Sequence, residues 1–375
     1  MSGLSRRKLL LLSISIISGY LAYVILRENV PSGGRGPDIM TIDEIIGNLD
    51  TPWSISFISD DEAIVTERFG RVSVLDTSTG RLDVLGEVQA NEIGEGGLLG
   101  SAVRRTRGGI EIFLYYTYRR GGSILNRVSK FDTKLRDETI LLDEIPGAGI
   151  HNGGRLKIGP DDRLYVTTGD AGRPELAQSV SSLAGKILRL NPDGSVPNDN
   201  PFRGSPVYSL GHRNPQGIDW HPVTKRLYST EHGPTGERLQ FAHDEINLIT
   251  PGGNYGWPEV IGRGNVRDYI DPIWESGSET WAPSGCTFYS GSQNPEWRNN
   301  FIFAALRGAH LQRLVLSGDG VTVVQSERLL RGDFGRLRDV VEGPDGSLYV
   351  LTSNRDGRGS PRSNDDKVLR ISWRG

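Results

Sequence analysis

One cysteine, Cys286, occurs in 375 residues. An intramolecular disulfide is therefore excluded, and so is a thiolate metal cluster within one chain. Lysine is also scarce: seven of the 43 basic residues are Lys and the rest are Arg, which favours planar, bidentate anion contacts wherever these residues gather. Extended helical periodicity is missing after the N-terminus. The net charge is only -3 and no basic stripe carries interleaved aromatics, so nucleic acid is not an expected partner.

Turn chemistry is abundant instead. Gly reaches 49 and Pro 20, with Asn, Asp and Ser dense between short apolar runs, the texture of many strands joined by tight turns. The length suits two ordinary domains or one large closed all-β architecture, and this composition favours the latter.

The N-terminus differs from the rest. In "SRRKLLLLSISIISGYLAYVIL", Arg6, Arg7 and Lys8 precede an apolar run from Leu9 to Leu26. At about 1.5 Å per residue that run is just long enough, as a helix, to cross a hydrocarbon core. The flanking positive charge predicts that the remainder lies outside the cytoplasm. Residues 1–27 are thus expected to be a hydrophobic helix serving as membrane anchor or, if cleaved, export signal. Residues 28–40, "ENVPSGGRGPDIM", read as a flexible tether, and residues 41–375 as the folded domain.

Within that domain a pattern recurs six times: an apolar strand ending near Thr, a polar turn, then an alternating strand. "EAIVTERFGRVSVLD", "RLYVTTGD" with "GKILRLNPDG", and "SLYVLTSNRDG" with "DKVLRIS" are instances. Six units of about fifty residues predict a six-bladed β-propeller. The segment "DIMTIDEIIGNLD" is expected to close the ring by completing the last blade, whose edge would otherwise stay unpaired.

The architecture directs two sets of loops to one mouth of the central channel. Segments entering the innermost strands bring Glu95, His151, Arg213, Asn214, Thr280, Arg336 and Arg338 toward the axis. Ends of the second strands add Asp170, the run from Glu231 to Pro234 that includes His232 and Gly233, Arg307 and Asn354. Four arginines, a histidine and a few carboxylates at one concave mouth suit a polyanionic ligand. A carboxylate behind His151, as Asp170 would be, fixes its tautomer and strengthens it as a base. His212, His221, His243 and His310 lack such support in the sequence and read as structural. The turn at Gly233 and Pro234 can offer carbonyl oxygens to a hard cation, and Glu245 with the following turn offers a second place for Ca²⁺, against the plainer reading of ordinary turns.

Taken together, "HNGGRLKIGPDDRLYVTTGDAG", "LGHRNPQGIDWHP", "EHGP" followed by "DEINLITPGGNYGWPEV", and "RLRDVVEGPDGSLYVLT" resemble the soluble quinoprotein glucose and aldose sugar dehydrogenases. That family is a six-bladed propeller dependent on pyrroloquinoline quinone. The resemblance implies that His151 is the catalytic base, oriented by Asp170, with Arg213 as the third catalytic group. It also implies cofactor contacts from Arg213, Asn214, Arg307, Arg336 and Arg338, and the mouth residues Glu95, His232, Thr280 and Asn354 are expected to bind the cofactor with them. Gly233 and Pro234 would hold the cofactor's Ca²⁺, and Glu245 and Tyr255 a separate structural Ca²⁺. Glu95 and His232 stand where glucose-oxidising members commonly carry Gln. The implied reaction oxidises an aldose at C1 to a lactone, with reoxidation by an external quinone or cytochrome. Two other classes remain in view: a Ca²⁺-dependent propeller hydrolase such as a lactonase, which needs carboxylates converging on an axial metal, and a non-enzymatic interaction propeller, which would have lost His151 or the arginines. Trp274 and Trp281 are candidates for stacking on a sugar.

Overall fold

The computed structural model describes residues 10–16, 20–26, 39–236 and 241–374, with side chains over 40–236 and 241–373. Six antiparallel sheets form the blades of a propeller, in agreement with the repeat count. Blade 1 runs through Pro52–Phe57, Glu62–Glu67, Arg71–Asp76 and Leu82–Glu87, and blade 2 through Leu98–Thr106, Gly109–Arg120, Ser123–Phe131 and Thr139–Pro146. Blade 3 comprises Leu156–Ile158, Leu164–Thr168, Lys186–Leu190 and Val207–Leu210, and blade 4 Pro215–Trp220, Leu227–Glu231, Glu245–Ile249 and the two-residue strand Trp274–Glu275. Blade 5 is Pro283–Phe288, Phe301–Ala305, His310–Leu316 and Val323–Leu329.

Blade 6 joins the two ends of the folded domain. Leu337–Glu342, Leu348–Thr352 and Val368–Arg374 are followed outward by Ile39–Ile46 from the start of the domain, paired from Ile39↔Arg374 to Ile46↔Val368. The expected closure is therefore observed, and it begins two residues inside the stretch read as tether. Of the expected N-terminal helix, residues 10–16 and 20–26 are described and the remainder of 1–27 lies outside the described residues. Leu10–Ile16 and Tyr20–Leu26 form an antiparallel pair extending this sheet, and no described helix is long and apolar enough to cross a membrane.

Position in the blade decides burial. Second strands such as Leu164–Thr168, Leu227–Glu231, Phe301–Ala305 and Leu348–Thr352 are buried throughout, because neighbouring blades cover both of their faces, which explains their continuous apolar runs. The outer strand Leu82–Glu87 has no buried residue, three being exposed and three half-buried. The apolar core lies between blades: Trp53, Leu99, Phe113, Tyr115 and Val166 pack across blades 1, 2 and 3, and Met40, Tyr289, Ile302, Val340 and Trp373 across blades 5 and 6.

Along the axis the inner strands carry polar side chains. Arg155 of blade 3 and Asp339 of the opposing blade 6 form a buried ion pair at 2.8 Å, which must cross the axis. The Arg155 guanidinium also lies 4.4 Å from the Trp53 ring centre, a cation–π contact that holds it in place. Gly285 permits the crossing, since a Cβ there would sit 1.7 Å from Asp339 Oδ1. The channel is thereby divided into two cavities with no shared lining residue, of about 470 and 270 Å³.

Candidate active site

The larger cavity opens at the mouth that the loop topology points to. Of the sequence-derived candidates, Glu95, His151, Arg213, His232, Gly233, Thr280, Arg307, Arg336 and Arg338 line it. Arg68, Gln216, Asp244, Asp356 and Arg358 line it too, and these the sequence reading did not single out. Arg68 directly follows the second strand of blade 1, the position that His232 occupies in blade 4, so the repeat could have identified it.

His151 is built into the wall by its turn. The residue has φ of +53°, a conformation uncommon outside Gly and Asn, and only 7 % of its surface is exposed. Gly153 and Gly154 continue the turn with φ of +63° and +102°. At Gly153 a Cβ would lie 2.6 Å from the Thr167 oxygen and the Thr168 Cα, so only glycine lets the chain pass. Asn152 does more than form the turn: its side chain bonds both Ala148 N–H and C=O, takes a hydrogen bond from Asn126 at 3.1 Å, and its carbonyl accepts the Tyr115 hydroxyl. This buried network fixes the loop against blade 2.

Behind the imidazole, Asp170 Oδ1 lies 2.7 Å from His151 Nδ1. Asp170 is fully buried. Its Oδ1 also accepts Gly172 N–H, and its Oδ2 accepts the indole N–H of Trp257, at 2.8 Å each. A carboxylate with these donors is held rigidly, and it holds Nδ1 protonated so that proton uptake falls to Nε2. The face of Trp257 lies 5.5 Å from the Arg213 guanidinium, so one side chain connects the carboxylate to the arginine. Trp257 belongs to the quoted "NYGWPEV", yet nothing in the sequence marks its partner 87 positions away.

Two expected cofactor contacts are not on the cavity wall. Asn214 is buried behind it, where its side-chain oxygen accepts Gly153 N–H at 3.0 Å. Asn354 likewise faces inward: its oxygen accepts Arg336 N–H and its amide donates to Phe334 C=O and Asp365. Both residues brace functional neighbours, because the local backbone turns them toward orphan main-chain groups. Trp274 and Trp281 are also corrected. They pack on each other 4.8 Å apart along a separate groove, and neither lines the cavity. His212 and His243 do have carboxylate partners, Glu231 at 2.8 Å and Glu275 at 2.9 Å, which cross-strand pairing supplies and the sequence does not reveal.

The cavity's electrostatics are one-sided. Arg68 pairs with Glu92, Arg336 with Asp356 and Arg358 with Glu95, all within 2.7 Å. Arg338 is buried, its nearest carboxylate, on Asp356, is 3.7 Å away, and Gln216 accepts its Nη1 at 2.8 Å. Burial pushes its pKa down, Asp356 opposes this, and Arg336 and Arg68 reinforce it. Burial, with Arg213 and Arg338 adding to it, also drives the His232 pKa well below the ordinary imidazole value, so His232 is neutral. Arg338 Nε and His232 Nε2 are both buried without a hydrogen-bond partner among the described residues. Orphaned donors in a cationic recess fit an anionic, oxygen-rich ligand.

A second, much smaller cavity of about 10 Å³ lies behind the strip from Glu231 to Pro234. Gly233, Pro234, Glu245 and Tyr255 all border it, as does Glu231, so the two expected metal positions share one recess. Burial, and then the neighbouring Glu231, pushes the Glu245 pKa up to about 8. Two carboxylates beside a space of one ion's size fit a hard cation. The Tyr255 hydroxyl is committed to Leu248 C=O and Thr250 N–H, which leaves its backbone as the part able to serve as ligand. Among the described residues no group of three or more His, Cys, Asp or Glu side chains is placed to hold a metal, so the axial carboxylate cluster required by a propeller hydrolase is not present there.

The sequence profile for Glucose / Sorbosone dehydrogenase matches residues 49–362. Aldose sugar dehydrogenase YliI of Escherichia coli is 31% identical over 368 residues, spanning 87% of this chain and 94% of its own. Among solved structures, a candidate oxidoreductase (glucose dehydrogenase) of Thermus thermophilus shares 45% identity with a TM-score of 0.81, over 88% of this chain and 99% of its own. The PQQ-bound aldose sugar dehydrogenase of Streptomyces coelicolor shares 35% identity with a TM-score of 0.80, over 89% and 98%. With the histidine–aspartate pair and the arginine-lined cavity in place, the chain belongs to the Glucose / Sorbosone dehydrogenase family of oxidoreductases.

Proposed function

We propose that this protein oxidises aldose sugars at C1 to lactones, using pyrroloquinoline quinone with Ca²⁺ in the larger cavity and passing electrons to an external quinone or cytochrome. The observation that carries the reading is His151, backed by Asp170 at 2.7 Å, on the wall of a cavity rich in arginine. Arg213, Arg307, Arg336 and Arg338 would hold the cofactor's carboxylates, His232 would donate to one of its oxygens, and Gly233 with Pro234 would supply carbonyl ligands to Ca²⁺. When bound there, pyrroloquinoline quinone would supply a hydride acceptor and Ca²⁺ a Lewis acid.

The protein's own part is to bind, orient and deprotonate. His151 Nε2 takes the proton of the anomeric hydroxyl, and Asp170 stabilises the imidazolium that results. Arg213, steadied by Trp257 and by its bond to the His232 carbonyl at 3.2 Å, keeps positive charge beside the reacting atoms. Arg155 and Asp339 block the channel beneath the cavity, so bulk water reaches the reacting carbon only from the mouth. The second recess, with Glu245 and Tyr255, would take a structural Ca²⁺. In a bilayer the run Leu9 to Leu26 would form a helix, because lipid leaves a strand pair's edge groups unsatisfied. That helix would anchor the enzyme outside the cytoplasm, near its acceptor. Loading the purified protein with pyrroloquinoline quinone and Ca²⁺ should give aldose-dependent dye reduction with lactone as product. Absence of activity across a panel of aldoses would overturn the reading, and recovery of the protein in the soluble fraction of its host would overturn the anchor.

A further inference from the structure

Across the mouth of the cavity, Arg358 Nη2 meets Glu95 Oε1 at 2.7 Å. The two residues come from different parts of the ring, Glu95 from the loop joining blades 1 and 2, and Arg358 from the loop joining the second and third strands of blade 6. Glu95 is the fixed half. Its Oε2 accepts His151 N–H at 3.0 Å and its own N–H donates to Gly149 C=O at 2.9 Å. Its neighbour Gly94 lies so close to that carbonyl that a Cβ would come within 2.1 Å. Arg358 is the exposed half: its side chain is 58% exposed, and it sits between Gly357 and Gly359.

An exposed ion pair of this kind contributes little to stability. Its effect on the site is electrostatic, because Glu95 is tied to the backbone of His151 and both pair members line the cavity. We propose that Glu95 and Arg358 determine substrate charge specificity: while paired they give the rim beside His151 no net charge, and the site takes uncharged aldoses in preference to amino sugars or uronic acids. The proposal rests on the sugar-oxidising reading above. A unit charge several ångströms away in a half-wet site changes relative affinity by about tenfold, enough to reorder substrates that differ in one ionised group.

The test compares 2-amino-2-deoxyglucose, glucose and glucuronic acid at about pH 6.5, where the amine is protonated and the uronate ionised. Holoenzyme loaded with pyrroloquinoline quinone and Ca²⁺ is assayed as wild type, Arg358→Gln, Glu95→Gln and the double variant. Arg358→Gln should raise kcat/KM for the amino sugar relative to glucose by about tenfold, and Glu95→Gln should raise that for the uronate by a similar factor. The double variant should return both ratios to within about twofold of wild type, and about 0.5 M salt should shrink the single-variant shifts. Calorimetric binding of the corresponding 1,5-anhydro sugars, which have no anomeric hydroxyl to oxidise, should show the same order. Unchanged ratios in Arg358→Gln, in catalysis and in binding, would overturn the proposal. A wild-type holoenzyme that oxidises no aldose would overturn the functional reading instead, while the binding order would still report on the pair.

Discussion

The strip from Glu231 to Pro234 separates two recesses of opposite character. On one side, the larger cavity gathers Arg68, Arg213, Arg307, Arg336, Arg338 and Arg358 against only three carboxylates, Glu95, Asp244 and Asp356. On the other, the small recess holds Glu231 and Glu245, with Arg213 bordering both sides. Each side holds an excess of one charge in a partly desolvated place, which costs free energy in the empty protein and is offset when a ligand of opposite sign enters. The shifts agree with this: burial pushes Arg338 down and Glu245 up, each toward its neutral form. Anion and cation would therefore bind back to back, with Gly233 bordering both recesses.

The largest expected effect separates chemistry from this electrostatic frame. His151→Ala removes the base and leaves the arginines in place. Turnover in aldose-dependent dye reduction should fall by about 10²–10⁴-fold, while cofactor affinity, measured by titration, stays within a few-fold of wild type. Loss of cofactor binding together with turnover would mean that His151 holds the ligand rather than moving a proton.

Arg338→Met tests the cationic side. Removing a buried charge whose nearest carboxylate, on Asp356, is 3.7 Å away and already paired with Arg336 should leave the cofactor-free protein as stable or more stable. Losing a charge-assisted contact worth about 1.5–3 kcal/mol should weaken cofactor binding by about ten- to a hundredfold. Thermal melts without cofactor and titration with it would read the two effects, and a fall in both would show that Arg338 is needed for packing instead.

How much of this could be read in the chain depends on the range of the interaction. The blades were legible because period-two alternation and turn residues are local, and the mouth was legible because loop placement follows from topology once the blades are counted. Side-chain direction was not. Asn214 and Asn354 occur in the expected loops but turn inward to main-chain N–H groups, a choice set by local backbone geometry. Trp257 and Asp356 do their work through partners on other strands or blades, Asp170 and the pair Arg336 and Arg338. Arg358 lies in a glycine-rich loop that reads as a plain turn. Glu231 and Glu245 both stand in motifs visible in the sequence, but only the pairing of their two strands shows that they share one recess.

On the acidic side, the sign of the pH response is fixed. A carboxyl whose folded pKa, about 8, exceeds its unfolded value near 4.5 binds more protons in the native state between those limits. Stability should then be full below about pH 4.5 as regards this group and be lost as pH rises toward 8. Ca²⁺ would favour the ionised pair and reverse the trend. Melting in chelator should therefore show a decline across pH 5–8 that Glu245→Gln flattens, and added Ca²⁺ should raise the wild-type midpoint most at the alkaline end. A Ca²⁺ effect equal at pH 5 and pH 8 would contradict this account.

The smallest effect sharpens the same recess. Tyr255 stacks on His212 with ring centres 4.7 Å apart, and its hydroxyl joins Leu248 C=O to Thr250 N–H. Removing it in Tyr255→Phe leaves two main-chain groups short of a partner and should cost about 1–2 kcal/mol, a few degrees at most in the melting midpoint for a domain of this size. If Tyr255 serves a cation through its carbonyl, the Ca²⁺-dependent rise in midpoint should survive the substitution intact. A diminished Ca²⁺ response would instead assign the phenol to the metal, and the hydrogen bonds to Leu248 and Thr250 would then have to yield when the cation enters.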